Sequence, residues 1–80
     1  MKTIVYAASA ARAFEKLPED VQERILAALL RYGSTGEGDV KQLSGVDALR
    51  LRVGDYRVVF QKDPATLRVL VLAHRGSVYR

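Results

Sequence analysis

Cysteine is absent from all 80 residues, which excludes disulfide staples and thiolate metal sites. No apolar run approaches the roughly 18 residues of a membrane-spanning helix. The opening Met1-Lys2-Thr3-Ile4-Val5-Tyr6 lacks the long apolar stretch of a signal peptide. A cytoplasmic protein with no membrane association is therefore the expectation. The glycines at 33, 36 and 38 are not followed by Gly-Lys-Ser or Gly-Lys-Thr, so this stretch is a surface loop rather than a phosphate-binding P-loop. Residues 50–80 hold only Asp55 and Asp63 as carboxylates. That half offers no acidic pair or metal-ligand cluster, so neither divalent-metal catalysis nor any other cofactor is expected.

What is present points to one small folded unit spanning residues 1–80. Apolar residues make up 49% of the chain, enough for a globular core, though a chain this short buries only roughly 60–65% of its unfolded surface. Its net charge of +4 is unevenly placed. Residues 1–49 carry six basic and seven acidic side chains, whereas residues 50–80 carry seven basic and two acidic ones, a net of +5. An anionic partner for the C-terminal part is the physical reading of such asymmetry.

The pattern predicts an α+β fold. Residues 2–6 alternate as a short strand, with Ile4 and Tyr6 on one side. Ser9 is placed to cap a helix with Ala10, Ala13, Phe14 and Leu17 on one face. Pro18 interrupts it and suits the first turn of a second helix, where Glu19 and Asp20 favour the positive end. Val21, Ile25, Ala28, Leu29 and Tyr32 form that helix's stripe, and Gly33 is the expected stop. The period then changes from helical to alternating. Leu49, Leu51 and Val53 alternate with Arg50 and Arg52, Gly54-Asp55 suits a two-residue hairpin turn, and Tyr56, Val58 and Phe60 form the next apolar face. After a turn over residues 62–66, the run from Leu67 to Ala73 is apolar enough for a strand covered on much of both faces. The expected order is an N-terminal strand, a helical hairpin, then a three-stranded antiparallel meander, with the helices on one face of the sheet.

The hairpin register follows from the turn. Val53 should face Tyr56, Arg52 face Arg57, Leu51 face Val58 and Arg50 face Val59. Cross-strand partners share a face, so Arg50, Arg52 and Arg57 gather on the side away from the helices. Like charges directly opposed are mildly destabilising, by a few tenths to about 1 kcal/mol. A phosphate backbone would relieve them, and arginine's planar fork suits two phosphate oxygens. The alternative is that the guanidiniums splay into water over the sheet, their stems covering apolar surface.

Three runs carry a resemblance: Lys41-x-Leu43-x-Gly45; Leu49-Arg50-Leu51-Arg52-Val53-Gly54-Asp55-Tyr56-Arg57-Val58-Val59-Phe60; and His74-Arg75-x-x-Val78-Tyr79-Arg80. Together with Leu17-Pro18 at the joint of the helical hairpin, they resemble the RelE/ParE superfamily of toxins, over essentially the whole chain. The resemblance implies the toxin of a type II toxin–antitoxin system, partnered by a cognate antitoxin in a hetero-oligomer. Its RelE branch binds the ribosomal A site and cuts mRNA, while its ParE branch inhibits DNA gyrase. The matching positions are Arg50, Arg52 and Arg57 around the Gly-Asp turn, and Arg75 and Tyr79 near the C-terminus. Members often carry lysine where this chain has Arg50 and Arg52, which argues against a lysine general base.

The expected chemistry is metal-free attack of the ribose 2′-OH on the adjacent phosphorus. Arg57 and Arg75 would stabilise charge in the transition state, and Tyr79 is favoured over His74 for proton transfer. Arg50, Arg52, Lys41 and Arg80 would bind the RNA backbone. His74 and Arg75, as neighbours in a strand, would point to opposite faces, so both enter one site only if the strand bends there. The alternatives are a ParE-type gyrase inhibitor on the same fold, which does not need Arg57, Arg75 and Tyr79, and a non-catalytic RNA-binding module.

Overall fold

Pro18 divides the helical region as its chemistry requires. In the computed structural model, which describes residues 2–74, helix α1 (Ala8–Glu15) ends just before it and helix α2 (Glu19–Thr35) begins just after, with Pro18 itself as N-cap. The N-cap of α1 is Ala7 rather than the expected Ser9, with no side-chain cap. The sheet positions this start instead: the Ala7 N–H donates to the Val69 carbonyl at 2.8 Å. At the joint, Gln22 of α2 reaches back and donates its Nε2 to the carbonyls of Phe14 (2.9 Å) and Leu17 (3.1 Å). The Phe14 carbonyl also accepts from the Leu17 N–H at 3.1 Å, so Gln22 adds a second donor there and ties α2 to the end of α1. Gln22→Ala is expected to cost about 1–2 kcal/mol, read as a lower urea midpoint with an unchanged denaturant slope.

Helix α2 does not stop at Gly33. It runs on to Thr35 and closes on Gly36, whose φ is 78° and whose N–H donates to the Tyr32 carbonyl at 2.8 Å. Gly33 serves packing: a Cβ there would lie 3.4 Å from Leu67 Cδ1 and 3.6 Å from Lys2 Cβ. Its small size lets the last turns of α2 press onto the sheet.

The sheet has five strands in the order β1-β5-β4-β3-β2. They are β1 (Thr3–Tyr6), β2 (Val40–Gln42), β3 (Leu49–Val53), β4 (Tyr56–Lys62) and β5 (Thr66–His74). β1 runs parallel to β5, and the remaining neighbours are antiparallel. The expected three-stranded meander is thus extended on both sides. Strand β2 is only three residues long, too short to show an alternation in sequence, and it exists by pairing with β3.

Every predicted hairpin pair is present: Val53 with Tyr56, Arg52 with Arg57, Leu51 with Val58 and Arg50 with Val59. Gly54 holds φ at 58°, the positive value required at the first central residue of this turn. At the next turn the Asp63 carboxylate accepts from the N–H groups of Ala65 and Thr66, both at 2.8 Å.

Strand β5 corrects the expectation of cover on both faces. Its pairing shifts between Val59–Val71 and Phe60–Val69, which leaves Leu70 as an extra residue in a bulge. The bulge resets the alternation. Leu67 and Val69 are fully buried and Leu72 packs on the core, whereas Val71 is 43% exposed. The continuous apolar run therefore reflects a break in period, not two covered faces. Both helices pack on one face, where Ile25 and Leu29 of α2 meet Leu51, Val58, Phe60, Leu67 and Val69. Among the described residues, no helix is long and apolar enough to cross a membrane.

Candidate nucleic-acid interface

The face of the sheet away from the helices is built by β2, β3 and β4. Lys41 pairs with Arg50, Arg50 with Val59, and Arg52 with Arg57. Since partners share a face and alternate residues return to it, Lys41, Arg50, Arg52 and Arg57 all project from this open side. Lys41 and Arg52 are exposed, while Arg50 and Arg57 are half-buried. Neither Arg50 nor Arg52 has an ion-pair partner among the described residues; the exposed pair Arg31–Glu37, at 2.9 Å, belongs to α2 and the segment after it. The Nε of Arg50 is buried without a hydrogen-bond partner. A donor held that way carries a desolvation cost, and its charge must be expressed through the remaining nitrogens of the guanidinium. Such an arrangement can grip an anion in two-pronged fashion while the stems lie along the ribbon.

The open face continues across Val59 to Val71 and from Arg57 to Ala73. Its central strip is apolar and its β2–β3 side is cationic. The described aromatic rings lie elsewhere: Tyr6, Phe14, Tyr32, Tyr56 and Phe60 belong to the core on the helix side.

His74 does not join the arginines. It pairs with Tyr56, which lies on the helix face, and the two rings stand 4.7 Å apart at 55°. With Ala13, Lys16, Leu17 and Leu72 they line a shallow groove of about 240 Å³ between α1 and the sheet. Beyond the bulge the strand pairs regularly from Val71 through His74, so the bend that would turn His74 toward Arg57 is not made within the described residues. The expected roles of Arg75, Tyr79 and Arg80 fall on positions outside the described residues. The same is true of the expected proximity of Arg57 to Tyr79. Among the described residues no three His, Cys, Asp or Glu side chains converge as a metal site would need.

One buried ionisable group sits away from this face. The Tyr6 hydroxyl is buried without a partner, its ring 4.9 Å from that of Phe14, and burial pushes its phenol above the ordinary 10.0. It takes no part in the cationic field.

No protein-family model matches the chain, and no curated protein matches it. Solved structures do. The isolated RelE toxin of E. coli superposes with a TM-score of 0.81 over 99% of this chain and 89% of its own, at 17% identity. The chain has a RelE-like fold. RelE in the archaeal RelE–RelB complex of Pyrococcus horikoshii OT3 shares this RelE-like fold at a TM-score of 0.78 and 24% identity, covering 96% of this chain and 98% of that one. A YoeB/ParE toxin from Agrobacterium tumefaciens matches at 0.77 and 18% identity, covering 94% and 99%. The RelE-like sheet thus persists at identities where few side chains are shared, and the open-face arginines must be judged on their own geometry.

Sequence reasoning missed one cation near this site. Arg24 of α2 reaches the β3–β4 turn, its Nη2 lying 2.6 Å from where a Cβ on Gly54 would be. Nothing in its local sequence signals this, because Glu19, Asp20 and Glu23 make that turn of the helix read as acidic.

Proposed function

We propose that this protein is the toxin of a toxin–antitoxin pair and acts as an endoribonuclease on mRNA in the ribosomal A site. The observation that carries the reading is the cross-strand field of Lys41, Arg50, Arg52 and Arg57 on the open face of a RelE-like sheet. Two of these cations, Arg52 and Arg57, are cross-strand partners, a pairing of like charges that is unfavourable taken by itself. A polyanionic ligand suits such a field.

In the proposed reaction the ribose 2′-oxygen attacks the adjacent phosphorus, a 2′,3′-cyclic phosphate forms, and the 5′-oxygen leaves with a proton. Arg50, Arg52 and Lys41 hold the flanking backbone. Arg57 neutralises charge that develops on the non-bridging oxygens, with Arg75 as its proposed companion. A proton must leave the 2′-OH and another must reach the 5′-oxygen. Tyr79 is the proposed proton carrier, since His74 stands with Tyr56 on the opposite face. Arginine is unsuited to that task because its pKa exceeds about 12.

The proposed partner is an acidic, amphipathic antitoxin segment, complementary in charge to the arginine face. The P. horikoshii relative is a complex with RelB, and an analogous hetero-oligomer in the cytoplasm, where ribosomes are met, is part of the proposal.

The test is primer extension on mRNA carried by translating ribosomes, with the purified chain added. Cuts bearing cyclic-phosphate ends are expected, with none on the same message free of ribosomes. Intact message together with stalled gyrase complexes would replace this reading by the ParE-type one. RNA binding without a cut product would leave only a binding module.

A further inference from the structure

We propose that Arg24 is a further contact to the RNA backbone, so that the nucleic-acid track passes from the open face around the β3–β4 turn to α2. This inference rests on the RNA reading above. Arg24 belongs to α2 and is exposed, yet its guanidinium does not trail into solvent beside its helix. It lies on the hairpin tip, with Nη2 2.6 Å from the place a Cβ of Gly54 would take. Gly54 is required there by its φ of 58°, and its missing side chain leaves the seat that the guanidinium fills.

Asp20 stands four residues earlier on the same helix, the spacing and order that favour an acid–base pair. Nevertheless Arg24 has no hydrogen-bond or ion-pair partner among the described residues. The side chain is directed toward the sheet tip rather than back along its helix to Asp20.

The tip lies two residues beyond the Arg52–Arg57 pair, roughly 7 Å at about 3.3 Å per strand residue. Arg24, Arg52 and Arg57 therefore bracket one end of the hairpin from three elements, within reach of a single strand of nucleic acid. Phosphates passing this turn would meet planar guanidinium forks from both sides of it. The sequence hides this, because Arg24 is counted with the half of the chain whose net charge is −1.

The experiment is a salt series on the full chain binding a single-stranded RNA oligonucleotide, run beside cleavage on translating ribosomes. Arg24→Gln is expected to weaken binding about 3–10-fold and to reduce the slope of log affinity against log salt by about 0.7, one phosphate contact on a single strand. Arg24→Lys should keep the parent slope. Arg31→Gln removes the same charge from the same helix, but from a residue already paired with Glu37, and should change neither quantity. An unmoved slope in Arg24→Gln, or an equal loss in Arg31→Gln, overturns the proposal. If the parent binds and cuts RNA while the slope stays put, the Arg24 contact alone falls. If the parent neither binds the oligonucleotide nor cuts message on ribosomes, the RNA reading falls and takes this one with it; if it cuts without binding the oligonucleotide, the Arg24 contact alone falls.

Discussion

Replacing Arg57 by glutamine is expected to slow RNA cleavage on the ribosome by roughly 10²–10³, the loss seen when one preorganised donor to developing oxyanion charge is removed. Arg57 is the half-buried member of the directly opposed pair with Arg52, and partial burial strengthens its interaction with a transition-state phosphate. Binding of the uncut RNA should fall far less than the rate. A drop in affinity equal to the drop in rate would make Arg57 a backbone contact instead of a catalytic residue. Its partner should behave differently. Arg52→Gln removes an exposed charge that faces a like charge, so the fold should gain a few tenths to about 1 kcal/mol while RNA affinity weakens. Thermal melts of the two variants, read beside single-turnover cleavage, check both statements. A fall in melting temperature for Arg52→Gln would show that the opposed charges do not oppose folding.

The largest stability effect is expected at Phe60. Its side chain is fully buried at the centre of β4, and the Tyr32 ring meets it edge-on at 5.4 Å. Phe60→Ala should cost about 3–5 kcal/mol, the transfer of the ring plus the cavity left behind. A chain of this length has roughly 4–12 kcal/mol in hand, at 0.05–0.15 kcal/mol per residue. The variant should therefore lose from about a quarter to all of that stability, as a lowered urea midpoint followed by circular dichroism would show. Phe60→Leu keeps most of the volume and should lose far less. A cost under about 1 kcal/mol for Phe60→Ala would mean that helices and sheet close over the gap.

Residues close in sequence were legible because local periodicity and turn chemistry decide them. Gly54-Asp55 between two alternating runs set the hairpin register, and with it the common face of Arg50, Arg52 and Arg57. The stripe Val21, Ile25, Leu29 announced the buried side of α2. Strand β2 escaped notice because three residues carry no period, and its placement of Lys41 beside Arg50 depends on a partner strand. The bulge at Leu70 escaped for a related reason: an apolar run looks the same whether both faces are covered or the alternation slips by one residue.

By itself, then, the order of residues determined the α+β class, the two helices, the tight hairpin and the shared side of three arginines. Each is a matter of spacing along one or two neighbouring segments, where steric and hydrophobic periods act directly. The folded chain alone decided that β1 lies parallel beside β5, that Gly33 is a packing site inside α2, that His74 belongs to the helix face, and that Arg24 comes to rest on the hairpin tip. Those outcomes hang on which surfaces meet after long loops close, and no local pattern encodes them.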